Sequence, residues 1–444
     1  MLTADCSAKI ERSRETSCRR DNNLLFLADT FEKEMNGFVP VLDSGYIIDG
    51  VKMELTPRQM LDDAAGICGI GETASGDSAA ETVVDESIDQ SPSGEAFDES
   101  RIYGYLELVE GASGKPRNIP AYCPEEITRA ETSRALIETI WKTGHFRLDD
   151  LMAEISWEWA TSAVGNLASF YRSVSAACSF LDALGIKLGG YSFTESGKGC
   201  RVKIRTAVEK GCPEDDAEDA DEPVDIAESI DREIVDTPDM TPSMPKYELP
   251  FRTMNPKLGK KRRCSPTVSG DRSNWLIYIP FDTCKFRLGG SLLSEKGGIT
   301  GDKAPEADDS DYFIDCFEVV REFVEDGIIV SGATVAAGGL MSALKKMIPA
   351  GSGIDADISC IMKSYGEDDV TKILFGEIPG AVVEIRDEDF DYVDAELLLQ
   401  DVAYYPVGHP GGQGLRLIRN GSASLSEIMQ AIIGQIGTAP EGED

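Results

Sequence analysis

Histidine is almost missing from this sequence, with His145 and His409 alone among 444 residues. The 11 cysteines stand singly, without one Cys-x-x-Cys pair. A zinc centre needs nitrogen or sulfur ligands gathered at close spacing, so that chemistry is excluded as a reading of the sequence. His145 has no Ser or Cys at recognisable spacing, and a catalytic triad finds no support. The scattered thiols, with Cys178 and Cys316 on apolar helix faces, read as reduced intracellular cysteines rather than a disulfide framework.

No apolar run approaches the roughly 20 residues of a membrane span, and residues 1–23 hold no apolar stretch of the kind a secretory signal requires. Arg and Ser there suit a transit peptide, whereas Asp5, Glu11 and Glu15 do not. Basic residues are scarce as well, 43 against 79 acidic ones, for a net charge of −36. That field repels nucleic-acid backbones and anionic membrane, so neither is expected as a partner. It also penalises nucleotides unless a local pocket overrides it. The expected location is cytoplasmic, with organelle and nucleus left open.

What is present is material for a core. Apolar residues make up 41% of the chain and fall into periodic stripes. Residues 1–119 read as a largely disordered or poorly defined N-terminal region. Within it, 24–60 contains a small ordered-looking patch, and 69–99 is too rich in Gly, Ser, Asp and Glu to bury the surface that ordering requires. The pattern firms from 120. The spacing predicts a helix over 125–142 and another over 166–184. In the second, Leu167, Phe170, Tyr171, Val174, Ala177, Cys178, Leu181 and Leu184 recur every three or four positions, and Gly185 follows as a stop. Residues 213–245 form an acidic, Pro-containing insert that repels itself and stays extended. Lys257-Leu258-Gly259-Lys260-Lys261-Arg262-Arg263 is the one basic cluster, read either as an anion patch or import signal or as a solvated hairpin tip.

From 273, strands and helices alternate. Strands are expected at 275–279, 328–330, 381–385, 402–407 and 415–418. Helices are expected at 311–326, 339–347 and 393–400, with a last one opened by the capping box Ser424-x-x-Glu427. Segregated apolar faces in alternating elements argue a layered α+β or α/β fold. Its parts are a domain at 120–272 that holds the acidic insert, a second domain at 273–437, and an acidic tail at 438–444. Asp387, Glu388, Asp389 and Asp391 either gather a cation or simply suit the dipole of the helix they precede. Trp157 and Trp159, on one strand face, either stack a base or belong to a core. His409, in Gly408-His409-Pro410-Gly411-Gly412, reads as a turn residue after a strand.

Three segments then follow in a telling order. They are Arg287-Leu288-Gly289-Gly290-Ser291, the run from Gly327 through Ala333-Thr334-Val335-Ala336-Ala337-Gly338-Gly339-Leu340, and Ile373-Leu374-Phe375-Gly376-Glu377-Ile378-Pro379-Gly380. The order resembles the C-terminal domain of the aminoimidazole-ribonucleotide synthase superfamily, where the pieces read Arg/Lys-Leu-Gly-Gly-Ser, Gly-His-Asp-Ile-Ser-x-Gly-Gly-Leu and Leu-Phe-x-Glu-x-Pro-Gly. Upstream, Ser156-Trp157-Glu158-Trp159-Ala160, Gly165-Asn166-Leu167-Ala168-Ser169-Phe170-Tyr171 and Ala183-Leu184-Gly185-Ile186 look like the second synthase-like half of the large phosphoribosylformylglycinamidine synthase. The resemblance runs over about residues 120–437.

The resemblance implies an aminoimidazole-ribonucleotide-synthase-like fold, with a partial N-terminal domain, a C-terminal domain and disordered acidic segments. It implies purine-biosynthesis ancestry in an ATP-dependent ligase that converts a ribonucleotide amide to an amidine with glutamine-derived ammonia. Its cofactors would be ATP or ADP with Mg²⁺, held here by Gly289, Gly290, Ser291, Gly338, Gly339 and Glu377. Backbone N–H groups at such glycines suit phosphate; the same glycines also suit tight turns and close packing.

Other family positions are replaced. Ala333 and Thr334 stand where the family has His and Asp. Tyr191-Ser192-Phe193-Thr194 stands where it has a Gly-Lys-Asp-Ser loop, Ser156 replaces Asn, and Asn166 replaces Glu. A hard cation needs carboxylate oxygens, and a phosphate clamp needs Lys, Arg or stacked amides, so no catalytic or metal-ligating residue is assigned. The glutaminase domain and first synthase half find no counterpart. Two functions stand open: a divergent synthase subunit working with partner chains, or a pseudoenzyme serving as scaffold or assembly subunit. Synthase-like halves pair through strands of the N-terminal domain. The expected partner is therefore a second copy, or another synthase-like chain in a heterodimer, within a multi-subunit complex.

Overall fold

The computed structural model of the protein describes residues 39–66, 99–112, 114, 117–144, 146–197, 199–208, 247–248, 261–299 and 302–418. In chain order the first part holds α1 (Pro40–Asp43), β1 (Ile47–Ile48), β2 (Val51–Lys52), α2 (Pro57–Ala64), α3 (Glu99–Glu110), α4 (Pro124–Ile140), β3 (Leu151–Trp159), α5 (Asn166–Ala183), β4 (Lys187–Glu195), β5 (Arg201–Val208) and β6 (Tyr247–Glu248). The second part holds β7 (Trp275–Pro280), α6 (Leu292–Gly297), α7 (Ser310–Glu325), β8 (Ile329–Val335), α8 (Gly339–Lys346), β9 (Gly353–Ala356), α9 (Ser359–Tyr365), α10 (Val370–Phe375), β10 (Gly380–Ile385), α11 (Phe390–Leu399), β11 (Tyr405–Pro410) and β12 (Gly414–Leu417).

Two larger sheets organise these elements. One has the strand order β5-β3-β4-β6, the other β12-β9-β11-β7-β10-β8. In the first, β3 and β4 run parallel, which requires a crossover rather than a hairpin; α5 supplies it. Phe170, Val174, Ala177 and Leu181 of α5 are fully buried, at the three- and four-residue steps of one helix face. Gly185 then leaves the helix at φ +70°. The six-stranded sheet is buried on both faces, so β7 reads as an unbroken apolar run. Ile277 and Ile279 face a core shared with Phe313, Cys316, Phe317 and Val320 of α7, and with the helices of the first sheet. Leu276 and Tyr278 face a second core with Leu340, Leu344 and Leu374. Each fully buried large apolar side chain here contributes about 1.5–3 kcal/mol. α4 packs against α5 and β5 on one side and against α7, β8 and β10 on the other, so it joins the two halves. The layered α+β architecture agrees with the sequence expectation.

Part of the N-terminal region is folded. Within 1–119, residues 39–66 and 99–112 are folded. Leu42, Tyr46 and Leu61 are fully buried in the first core. Thr56 opens α2 with a capping box to Gln59, and Pro57 follows in the first turn, a start signal present in the sequence. Ile102, Leu106 and Val109 of α3 enter the second core, so α3 belongs with a sheet whose strands begin beyond residue 270. Its apolar stripe is narrow and set among charged residues, which hid it from compositional reading.

Several local expectations also change. The strand expected at 328–330 continues to Val335, and Ala333 and Thr334 are sheet residues. Tyr191, Ser192, Phe193 and Thr194 are not a loop but part of β4. His409 lies in β11 rather than a turn; its ring centroid is 4.2 Å from that of Trp275, and Nδ1 is 2.9 Å from the Asn274 carbonyl. Trp157 and Trp159 are core residues that donate to Ser173 Oγ and the Asn166 carbonyl. The acidic insert 213–245, most of 69–99, His145, the helix at Ser424 and the tail 438–444 lie outside the described residues. No described helix is long and apolar enough to cross a membrane.

Candidate functional site

Two glycine turns meet at one carboxylate. Ser291 caps α6 by accepting from the Ser294 N–H at 3.1 Å, which points the first turn of that helix inward. Gly338, at φ +90°, precedes α8, and a Cβ there would overlap Ser342 and Val109, so both conformation and space call for glycine. Between the turns sits Glu377, in the link from α10 to β10 and 3% exposed. Its Oε1 accepts from the Leu292 N–H at 2.7 Å and from the Gly338 N–H at 2.9 Å. Its Oε2 pairs with Arg117 Nη1 at 2.6 Å and lies 3.4 Å from Arg134 Nη2. Burial opposes ionisation of Glu377, but Arg117, Arg134 and the Gly338 and Leu292 N–H groups together hold its carboxyl below the usual carboxylate range.

The remaining donors of these turns are also spent inside the protein. Leu288 N–H donates to Asp302 Oδ2 at 2.6 Å and Gly289 N–H to the Lys303 carbonyl at 2.8 Å. Gly290 N–H donates to Tyr122 Oη at 3.2 Å, Ser291 N–H to the Leu288 carbonyl at 3.0 Å, and Gly339 N–H to the Ala336 carbonyl at 2.9 Å. A cavity of about 10 Å³ remains beside Gly289, Gly290, Ser291, Arg134 and Glu377, enough for one water.

All six residues expected to bind cofactor, Gly289, Gly290, Ser291, Gly338, Gly339 and Glu377, are therefore brought to one place, but they surround a protein carboxylate. Glu377 presents a negative charge where a phosphate would need donors. Among the described residues, no group of three or more His, Cys, Asp or Glu side chains is placed to hold a metal ion. These residues do not fit a nucleotide phosphate with Mg²⁺ in this arrangement.

The replaced family positions have packing duties. Thr334 Oγ1 accepts from Trp141 Nε1 at 2.9 Å. Asn166 Nδ2 donates to the Ala160 carbonyl at 2.7 Å and holds the turn into α5. Ser156 and Ser192 hydroxyls bond each other at 2.9 Å. Tyr191 donates to Asp62 at 2.9 Å and lies 3.3 Å from Arg58 Nη1, so it anchors α2. Asp387 accepts from Trp275 Nε1 at 2.8 Å, and Asp389 pairs with Arg386 at 3.1 Å. From the basic cluster, Arg262 donates to the Gly332 carbonyl at 2.6 Å and stands over the Trp141 ring. A separate groove of about 430 Å³ is lined by the carboxylates of Asp149, Asp315, Glu318 and Glu322 against a single cation, Arg147, which disfavours a phosphate there.

Arg117 and Arg134 escaped the sequence reading. The signal for Arg134 was available. Ile127, Ala130, Arg134 and Ile137 follow at helix-face spacing and all are buried, so a charge occupies a core position of α4. Arg117 carries no comparable signal.

No protein-family model matches the chain. Its sequence is 28% identical to phosphoribosylformylglycinamidine synthase of Homo sapiens over 157 residues, 34% of this chain and 11% of that protein. It is 26% identical to the probable phosphoribosylformylglycinamidine synthase, chloroplastic/mitochondrial, of Arabidopsis thaliana over 306 residues, 68% of this chain and 19% of that protein. The matched stretch thus spans less than a fifth of either relative. Among solved structures, T. maritima PurL complexed with FGAR is similar at TM-score 0.45 and 11% identity, over 72% of this chain and 48% of that one. T. maritima PurL complexed with ATP is similar at TM-score 0.42 and 10% identity, over 72% and 46%. In sequence, and over most of its own length, the chain is similar to phosphoribosylformylglycinamidine synthase.

Proposed function

We propose that this chain is a phosphoribosylformylglycinamidine-synthase-like protein of the cytoplasm whose glycine-turn centre is structural, and that it works as a scaffold or assembly subunit. The sequence likeness supports purine-biosynthesis ancestry. The observation that carries the structural reading is the Glu377 carboxylate, which takes the N–H groups of Leu292 and Gly338 and neutralises Arg117. A centre built this way offers an anionic ligand no free turn N–H group and room for about one water, and leaves only the buried Arg117 Nη2 and Arg134 Nε without a partner. The test is thermal unfolding of the full chain with millimolar ATP or ADP and Mg²⁺. No shift is expected; a rise of a few kelvin, as binding to the folded state produces, overturns the reading.

The second reading is a divergent catalytic subunit that acts with partner chains supplying the other half and the glutaminase. The likeness to the Arabidopsis protein over 68% of the chain favours it. Purine auxotrophy on deletion, restored by the intact gene, would establish it.

In either case we propose pairing with a second copy or another synthase-like chain through the outer face of the four-stranded sheet. Glu154 and Glu158 of β3 stand beside Arg205 and Arg201 of β5 in the ladder, and Ser156, Lys203 and Arg205 are exposed. Adjacent acidic and basic rows suit a surface that meets its own kind. Mass measurement in solution and partner capture test this; a monomer that captures no synthase-like chain removes it.

A further inference from the structure

Residues 302–309 cross the glycine turn without helix or strand structure. Ala304, Pro305 and Ala307 point inward and are buried, while Lys303, Glu306 and Asp308 are exposed. The attachments lie at its two ends, and at the second Asp309 caps α7 by accepting from the Tyr312 N–H at 3.0 Å. Asp302 Oδ2 takes the Leu288 N–H at 2.6 Å, and the Lys303 carbonyl takes the Gly289 N–H at 2.8 Å. At the far end, Asp309 N–H donates to Asp282 Oδ2 at 3.1 Å, and Arg129 Nη1 lies 3.5 Å from the exposed carboxylate of Asp308.

Other forces oppose the seating. Small inward side chains bury little apolar area, and an extended segment loses conformational freedom at every residue. Glu126 is pushed up chiefly by burial, with Glu125 and then Glu306 adding to it. Asp282 is pushed up chiefly by burial as well, with Asp308 adding. The strap therefore brings its own carboxylates toward carboxylates that are already partly desolvated. Gly289 supplies the independent observation. Its φ is not positive, so the turn itself does not require glycine there. A Cβ at Gly289 would meet Asp302 O and the Lys303 backbone, and those are its nearest obstacles.

We infer that residues 302–309 form an occluding strap that lifts from the glycine turn as a local unit, and that position 289 is glycine so that the strap can seat. Lifting frees the Leu288 and Gly289 N–H groups and uncovers the small cavity beside Arg134, whose Nε has no hydrogen-bond partner. The inference rests on the turn N–H groups being satisfied from within, and it adds how that closure is controlled.

The experiment is amide hydrogen exchange on the full chain, with Gly289→Ala as the strap-displacing variant. The Leu288 and residue-289 amides are expected to exchange at least tenfold faster in the variant, with Ile279 and Val383 in the core strands unchanged. In the parent protein the turn amides should exchange at a rate insensitive to low urea, whereas the core amides speed up, the signature of local against global opening. Equal urea dependence of turn and core overturns the inference even if the variant fails to fold. Unchanged turn exchange in a folded variant overturns it too. Neither measurement uses nucleotide, so this inference and the structural reading of the centre fail separately.

Discussion

Arg134 grips Glu377 twice: its Nη2 donates to the Glu377 main-chain carbonyl at 2.8 Å and reaches the carboxylate at 3.4 Å. Arg134 belongs to α4, which packs with the first sheet, while Glu377 gathers the turns before α6 and α8 on the second. The pair therefore ties one half of the protein to the other through a buried charge. A buried pair adds little over an apolar substitute, but removing one partner strands the other. We predict that Glu377→Ala destabilises the protein by about 3–5 kcal/mol, the range for such stranded charges. Glu377→Gln, which keeps an acceptor for the Leu292 and Gly338 N–H groups, should do less harm. Urea unfolding of the two variants checks the order; equal stability to the parent sinks the account.

The same carboxylate sets a pH dependence. Because its folded value lies below the ordinary carboxylate range, its contribution is fully present above the unfolded value of roughly 4.3. It is lost as pH falls through the folded value. Glu126 and Asp282 have the opposite sign: burial raises both, so they favour the folded state at low pH and that contribution fades as pH rises. The clean measurement is a difference. The stability gap between the parent and Glu377→Gln should be largest near neutrality and shrink below about pH 4; a gap constant from pH 7 to 3 refutes it.

Much of the architecture was legible because it rests on side-chain periodicity. The face of α5 and the two-sided burial of β7 were both visible as spacing. So was the convergence of Gly289, Gly338 and Glu377, through the resemblance that linked their segments. What the glycines do was not legible, since a turn that cradles an anion and a turn that packs against Lys303 or Ser342 use the same residue. The identity of the occupant depended on Arg117 and Arg134, which lie far from Glu377 in sequence. Strand extents were misjudged for a related reason. Ala333, Thr334 and His409 carry weak or ambiguous local preferences, and the neighbours in the sheet decide their state.

Thr334 offers a test at a position where the family carries an acid. Its hydroxyl accepts from Trp141 Nε1 at 2.9 Å, and both residues are buried. Thr334→Val preserves shape but leaves an indole N–H without its acceptor, at a cost of about 1–3 kcal/mol. Thr334→Ser keeps the hydroxyl and should recover most of the loss. Melting temperatures of the pair decide it: if valine and serine behave alike, the hydrogen bond is not what holds this position.

Glu384 presents the complementary case, a fully buried carboxylate held by four neutral donors. Its Oε1 accepts from Ser269 Oγ at 2.5 Å and Asn274 Nδ2 at 2.8 Å, and its Oε2 from Ser269 N–H at 2.9 Å and Ser331 Oγ at 2.8 Å. Four donors converge on two oxygens, and the segment at 269–274 is fastened to strands β8 and β10 through them. An amide is a poor substitute here, because its NH₂ would face donors on one side. We predict that Glu384→Gln costs about 1–3 kcal/mol, more than Ser331→Ala, which removes a single donor and leaves three. Denaturant unfolding of both variants is the check. A glutamine variant milder than the serine variant would mean that the network tolerates a rotated amide, and that the carboxylate is not what fixes this segment to the sheet.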